Sequence, residues 1–417
     1  MSSSFFSRSI LSLAALSYLA TAAPHACQQQ QQTKQVTVGK AVYFMTNDAE
    51  NAIVALAIGK DGTLSKGMVT KTGGAGSVSI DGATMQPALT DALIGQSSLT
   101  VVGNVISDIS QNVFAVNAGS NTLSMLSINS ADPTCLEMVG QPAAIPGEFP
   151  NTVSASAKNN LVCAGTTGAQ AGISCASFSK NQGLGKMDAL RNFDIGQSTP
   201  PIGPTNTVSQ TFFSNDESML FTTVKGDPAV NNTGFLSVFN IMANEKKSGQ
   251  LSTEETRSSP AGTAVLFGSS TIPGSNDLFV TDASFGGAVL SLDKDAKATV
   301  AGMQAINGQK ATCWATVSDA TKSAYVTDVG TNRVVEMSLK DASIIHELDL
   351  SANGDPGLVD LKSAGNFVYA LSPGNGTTPA AITVLDVSGG QGSMKMVQHF
   401  QLDGIAANTA QGMAVLI

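Results

Sequence analysis

The chain has 417 residues, of which 42% are apolar and only 13% charged, and its net charge is −9. So much apolar material sustains a large core. Few Lys and Arg, with no basic cluster, exclude nucleic acid and anionic membrane surfaces as partners.

In chain order, the first expected element is a targeting segment. Arg8 precedes the apolar run 10–20, and Ala20, Thr21, Ala22 and Ala23 offer small residues for cleavage. Residues 1–23 read as a secretory signal peptide, because the run is too short to span a bilayer. No later run has spanning length, and the final AVLI is too short for a lipid-anchor signal, so no membrane anchor is expected. The expected location is extracellular, free or associated with a cell wall. Residues 24–35 contain the Gln run 28–32 and read as a flexible leader.

From residue 36 onward the chain repeats itself. A short apolar strand ends near Thr, Ala or Asn, a Gly- and Asn-rich turn follows, and a second strand alternates apolar with polar residues. The copy at 323–339, SAYVTDVGTNRVVEMSL, is the clearest. Others begin at Ala41, Asn112, Leu161, Met219, Asp277 and Asn366. Each reads as a β-hairpin. About seven copies make an all-β, seven-bladed propeller with four short antiparallel strands per blade. The 41 glycines suit tight turns between short strands.

Between Val102 and Phe114 the text VGNVISDISQNVF is longer than elsewhere, which predicts an insertion near 105–112. The connections 181–204 and 244–260 are long, polar and rich in Gly and Pro. Loops of that kind form binding rims or plain surface. Another short strand precedes most hairpins, as at 151–155, 206–209, 262–266, 313–317 and 357–361. These are assigned to the innermost position, with Thr152, Asn206, Thr263 and Trp314 as channel-lining residues. Trp314, the single Trp, either lines the channel or packs in the core. The segment 411–417 has no hairpin after it, and the hairpin at Ala41 has no inner strand before it. The C-terminal strand is therefore expected to complete the N-terminal blade and leave no open edge.

Five cysteines are present. Cys163 and Cys175 occupy the two arms of one hairpin, where they form either a cross-strand bridge or two small buried thiols. An odd total leaves at least one thiol unpaired or joined to another molecule. The sequons at Asn231 and Asn375 fall in hairpin turns and are candidate glycosylation sites. No metal site is expected, since His is scarce and Asp277, Asp282, Asp293 and Asp295 match no calcium-loop spacing.

The pattern at Tyr325-Val326-Thr327-Asp328 resembles the lactonase-type seven-bladed propellers, which include 6-phosphogluconolactonases and fungal 3-carboxymuconate lactonizing enzymes. More closely, the chain after about residue 36 is similar to fungal secreted proteins described as 3-carboxymuconate cyclase-like. The likeness is carried by GEFPNTVSAS from Gly147, GPTNTVSQTFFSNDES from Gly203 and SAGNFVYALSPGNGTTPAAITVLDV from Ser363. Some of those relatives are glycosylated surface antigens or adhesins. The resemblance implies ring opening or closing on a small carboxylated compound such as a lactone, without a cofactor. Such chemistry needs an acid or base and cations for the carboxylates. The lactonizing enzymes are thought to use His, Arg and Glu in the channel, and this chain departs from that set. His25 adjoins the cleavage region, His346 and His399 fall on outer strands, and Arg191, Arg257 and Arg333 lie in loops or turns. Glu148 and Arg191 are the best catalytic candidates. Two functions follow. One is a secreted or wall-associated glycoprotein that binds an extracellular surface ligand with degenerate channel chemistry. The other is an active lactonase or carboxymuconate-lactonizing isomerase acting on a small carboxylate or lactone.

Overall fold

The hairpins are strongly apolar because their strands are covered on both faces, while each blade's outermost strand meets solvent. Ala41–Met45 is buried at every position, and Leu64–Lys71, at the edge of the same sheet, is mostly exposed. The computed structural model describes residues 37–103, 111–243 and 249–417. The expected segments 1–23 and 24–35, with Cys27, lie outside the described residues, as do residues 104–110 of the expected insertion.

Seven antiparallel sheets of four or five strands form a seven-bladed β-propeller. Blade 6 shows the pattern: Thr312–Ser318 is innermost, Ser323–Asp328 and Thr331–Ser338 form the central hairpin, and Ile344–Asp349 is outermost. The other inner strands are Leu99–Val102, Pro150–Ser156, Val208–Phe213, Leu266–Thr271 and Leu361–Ala364 in blades 2, 3, 4, 5 and 7. The inner strand of blade 1 is Gln411–Leu416, from the far end of the chain. It runs antiparallel to Ala41–Met45, with Ala41 opposite Leu416 and Met45 opposite Gln411. Neighbouring inner strands lie side by side around the whole ring. Aromatic pairs fill the wedges between blades. Phe114 of blade 2 meets Phe178 of blade 3 edge-on at 4.8 Å, and Phe267 of blade 5 meets Trp314 of blade 6 at 5.0 Å.

Two channel-lining assignments are corrected. Asn206 and Thr263 lie in the links before their inner strands, which start at Val208 and Leu266. Both are turn residues. Asn206 takes φ 54° and donates from its amide to the Ile195 carbonyl, while the Thr263 hydroxyl donates to the Pro260 carbonyl. Thr152 and Trp314 do lie on inner strands, both wholly buried. Cys163 and Cys175 sit directly opposite each other in blade 3 and are joined by a disulfide.

Candidate functional site

The centre of the ring is filled. The link 72–98 joins the outer strand of blade 1 to the inner strand of blade 2, and its last part, residues 91–98, runs through the central channel. Inner strands from much of the ring hold it. Asn151 of blade 3 donates to the Leu93 carbonyl at 3.2 Å. The Gln96 backbone N–H donates to the Ser209 carbonyl of blade 4 at 2.8 Å. Its side-chain amide donates to the Ala315 carbonyl of blade 6 at 2.7 Å and accepts from the Ala315 N–H at 3.0 Å, as a β-strand partner would. Ser97 donates to Asp360 of blade 7, and the same carboxylate accepts from Met413 of blade 1. The Trp314 indole N–H faces the Gly95 carbonyl at 3.4 Å. The fit requires special backbone. Ile94 and Ser97 have φ of 47° and 63°, in the left-handed region that side chains disfavour. A Cβ on Gly268 would come within 2.2 Å of the Gln96 side-chain oxygen.

Above this plug, at the end of the channel where the inner strands begin, lies a cavity of about 520 Å³. Ile80–Asp81 pairs in parallel with Ile202–Gly203, tying the 1–2 link to the 3–4 link beside the mouth. The lining is mainly apolar: Pro87, Ala88, Leu89, Ile94, Pro204, Val265, Phe267, Ala283, Ala311 and Val329. Set into it are Asp91, Lys225 and Cys313, with Asp81, Thr84, Thr90 and Asn375 also in the lining.

Lys225 is only 1% exposed. Its ammonium donates to the Ile94 carbonyl at 2.6 Å and lies 4.1 Å from the centre of the Phe267 ring. No carboxylate lies within 4.0 Å of it among the described residues. Burial pulls its pKa down to about 8, against the opposing pull of the Asp91 charge. Burial pushes Asp91 up to about 7, with Lys225 acting against the rise, and one of its oxygens is buried without a hydrogen-bond partner. Burial also pushes the Cys313 thiol well up, so it remains protonated and unreactive. The arrangement offers one buried cation and one buried carboxyl in a mainly apolar pocket, with Asp81, Thr84, Thr90 and Asn375 also in its wall.

The residues proposed from sequence lie elsewhere. Glu148 precedes the inner strand of blade 3 and accepts from the Thr199 hydroxyl. Arg191 is at the perimeter, not over the channel. Its guanidinium spans Asp188 at 2.9–3.0 Å and donates to the Ser252 and Leu251 carbonyls of the outer strand of blade 4. That is a structural clamp with an 8% exposed side chain. The structure does not bring Glu148 and Arg191 together, and neither lines the pocket. Thr152 accepts from the Thr211 N–H at 3.0 Å, a bond between inner strands. His346 lies on an outer strand, and His399, also outer, meets Asp355 at 3.0 Å. Asn231 and Asn375 are exposed. The Asn375 side-chain oxygen accepts from the Thr377 hydroxyl and N–H and from the Thr378 N–H, so the turn is held by its own side chains.

Sequence reasoning missed Asp91 and Lys225. A long link between blades 1 and 2 was one available signal. The other was a lysine closing the apolar strand Met219–Val224.

No family model and no curated protein sequence matches the chain. Solved structures do. The periplasmic gluconolactonase PpgL of Pseudomonas aeruginosa superposes with a TM-score of 0.63 at 11% identity, over 90% of this chain and 99% of that one. A protein of unknown function from Desulfotomaculum acetoxidans gives 0.55 at 14% identity, over 90% and 99%. A candidate 6-phosphogluconolactonase from Bacteroides fragilis gives 0.50 at 14% identity, over 73% and 81%. Likeness at such identities speaks to fold alone. The fold shared with these structures is the seven-bladed β-propeller.

Proposed function

We propose that the protein is a secreted or cell-wall-associated glycoprotein that uses a lactonase-type scaffold for binding. Its ligand is a small, mainly apolar molecule with one carboxylate or lactone carbonyl. The observation that carries this reading is Lys225, a buried ammonium with one hydrogen-bond acceptor and no carboxylate within 4.0 Å among the described residues, in a mainly apolar pocket. A buried ammonium in no direct ion pair is costly, so a ligand that brings a negative charge into contact with it gains what folding left unsatisfied. The apolar lining takes up the rest of the molecule. The exposed sequons at Asn231 and Asn375 support a glycoprotein, and the 1–23 segment supports secretion.

The test is calorimetric titration with 3-carboxymuconate and a panel of lactones, on the native protein and on Lys225→Met. We expect affinity to fall about tenfold or more in the variant, the scale of one lost charge-assisted hydrogen bond. Equal affinity in a folded variant would remove the pocket from the argument. Mass spectrometry of protein recovered from the medium reads the cleaved N-terminus and any sugar on Asn231 or Asn375.

A second reading, opening of a lactone, is favoured by the unpartnered oxygen of Asp91 beside Lys225. Asp91 as carboxylate would take a proton from water as its oxygen bonds to the carbonyl carbon, Lys225 would hold the negative charge that develops on the carbonyl oxygen, and Asp91 would return the proton to the ring oxygen as the ring C–O bond breaks. Turnover that disappears in Asp91→Asn while binding persists would establish it.

A further inference from the structure

The opposite mouth of the channel carries a second cavity of different character. Its volume is about 490 Å³, and it is lined where the inner strands of blades 3 to 7 end. Gln210, Ser269, Thr316 and Lys362 come from four consecutive inner strands, and Glu217 and Phe213 stand beside them. The plug separates this cavity from the apolar pocket above.

Several of its polar groups have bonding capacity left. The Ser269 side chain is buried, at 2% exposure, and its hydroxyl has no partner, although the residue lines the cavity. Its own N–H is held by the Gln210 side-chain oxygen at 2.6 Å, which fixes both residues. The Thr316 hydroxyl accepts from the Ser363 N–H at 3.3 Å and has its proton free to donate. The Lys362 ammonium stands 3.7 Å from the Asp360 carboxylate, beyond hydrogen-bond length, so it has donors to spare. Glu217 accepts from the Ser156 hydroxyl and the Lys158 N–H and keeps further lone pairs.

An unpartnered buried hydroxyl is costly and calls for an explanation. Here it belongs to a set that mixes donors and acceptors over a broad arc. Lys362 is offset by Glu217 and by Asp319, also in the lining, so net charge does not select an anion. An apolar ligand would leave most of these groups unsatisfied. A molecule bearing several hydroxyls, each both donor and acceptor, satisfies them, and Phe213 offers an apolar face. We propose that the lower mouth is a second binding site, specific for a neutral saccharide.

The test uses the full secreted chain and a panel of mono- and disaccharides, read by saturation-transfer NMR and titration calorimetry. The variants are Ser269→Ala, Lys362→Gln and, as an upper-pocket control, Lys225→Met. At least one saccharide should bind the native protein. Ser269→Ala with Lys362→Gln should weaken it about tenfold, the scale of two lost hydrogen bonds. Lys225→Met should leave saccharide binding unchanged, which separates this site from the upper pocket whatever that pocket binds. Ser269→Ala should not lower the melting temperature, because the hydroxyl it removes has no partner. No saccharide binding to folded native protein would overturn the proposal. So would binding indifferent to the lower-mouth variants, or Lys362-dependent binding of acetate or sulfate alone.

Discussion

Two aspartates show what the repeated text is for. Asp282 ends the second strand of blade 5 and accepts from the Ala264 and Val265 N–H groups, just before that blade's inner strand. Asp328 does the same in blade 6 with Lys310 and Ala311, and each also accepts from the turn that follows it. One carboxylate thus pins two loops at the upper mouth. Asp328→Ala leaves those donors without a partner and should cost about 1–3 kcal/mol, read as a lower melting temperature in calorimetry. The Thr-Asp repeat was legible because it recurs, while its cause was not, because the bonds run back across a whole hairpin. Lys225 was less legible still. It follows Thr222, Thr223 and Val224 like any strand end, and its acceptor Ile94 lies 131 positions earlier. The Asp91 carboxyl carries a pH dependence. Its folded pKa is raised, so the folded chain holds this proton more tightly than the unfolded chain does. The stability it contributes is complete below the ordinary value of 3.8 and is lost as pH rises through about 7. Asp91→Asn should therefore gain stability relative to the native protein across that window, seen as converging or crossing melting curves between acid and neutral pH. A window displaced to alkaline pH would contradict the assignment. Binding of a carboxylate at Lys225 should weaken over the same rise, as Asp91 becomes negative.

At the scale of the element, the plug matters most. Gln96 acts as a side-chain strand, filling both hydrogen bonds of Ala315. Gln96→Ala would leave a buried N–H and a buried carbonyl unpaired, at about 1–3 kcal/mol each. A markedly lowered unfolding midpoint in denaturant is the expected result. A midpoint shifted by less than about 1 kcal/mol in equivalent free energy would mean that water replaces the side chain without penalty. Hairpins were legible in sequence because their strands are covered on both faces and read as near-continuous apolar runs. Inner strands were placed a few residues early at Asn206 and Thr263, because the polar turns before them carry the same Thr and Asn as the strands. The plug left little trace. It has no strand pattern of its own, and its hydrogen-bond partners are scattered through blades 2, 3, 4, 6 and 7. The candidate site was illegible for the same reason, since Asp91 belongs to the plug and Lys225 faces it. Arg191 shows the converse. An arginine in a polar stretch suggested a rim, and the fold spends every part of its guanidinium on joining two blades.

For the whole molecule, the pairing of Gln411–Leu416 with Ala41–Met45 completes blade 1. Deleting residues 413–417 removes most of that pairing and the Met413 donor to Asp360, and it exposes the wholly buried edge of Ala41–Met45. The melting temperature should fall sharply, and the truncated chain should aggregate through the opened edge. A melting temperature equal to that of the full chain would show that the ring does not depend on this strand. The plug has a further consequence, for the order in which the protein is assembled. Gln96 waits for Ala315, 219 positions later, and Ser97 waits for Asp360, 263 positions later. During synthesis residues 91–98 emerge before blades 3 to 7 exist, so an early segment must stay uncommitted until a cylinder forms around it. Contacts that distant return free energy only after the entropy of joining them has been spent, which makes folding slow. A ring that closed first would have no way to admit its own axle, so blades and axle must condense together.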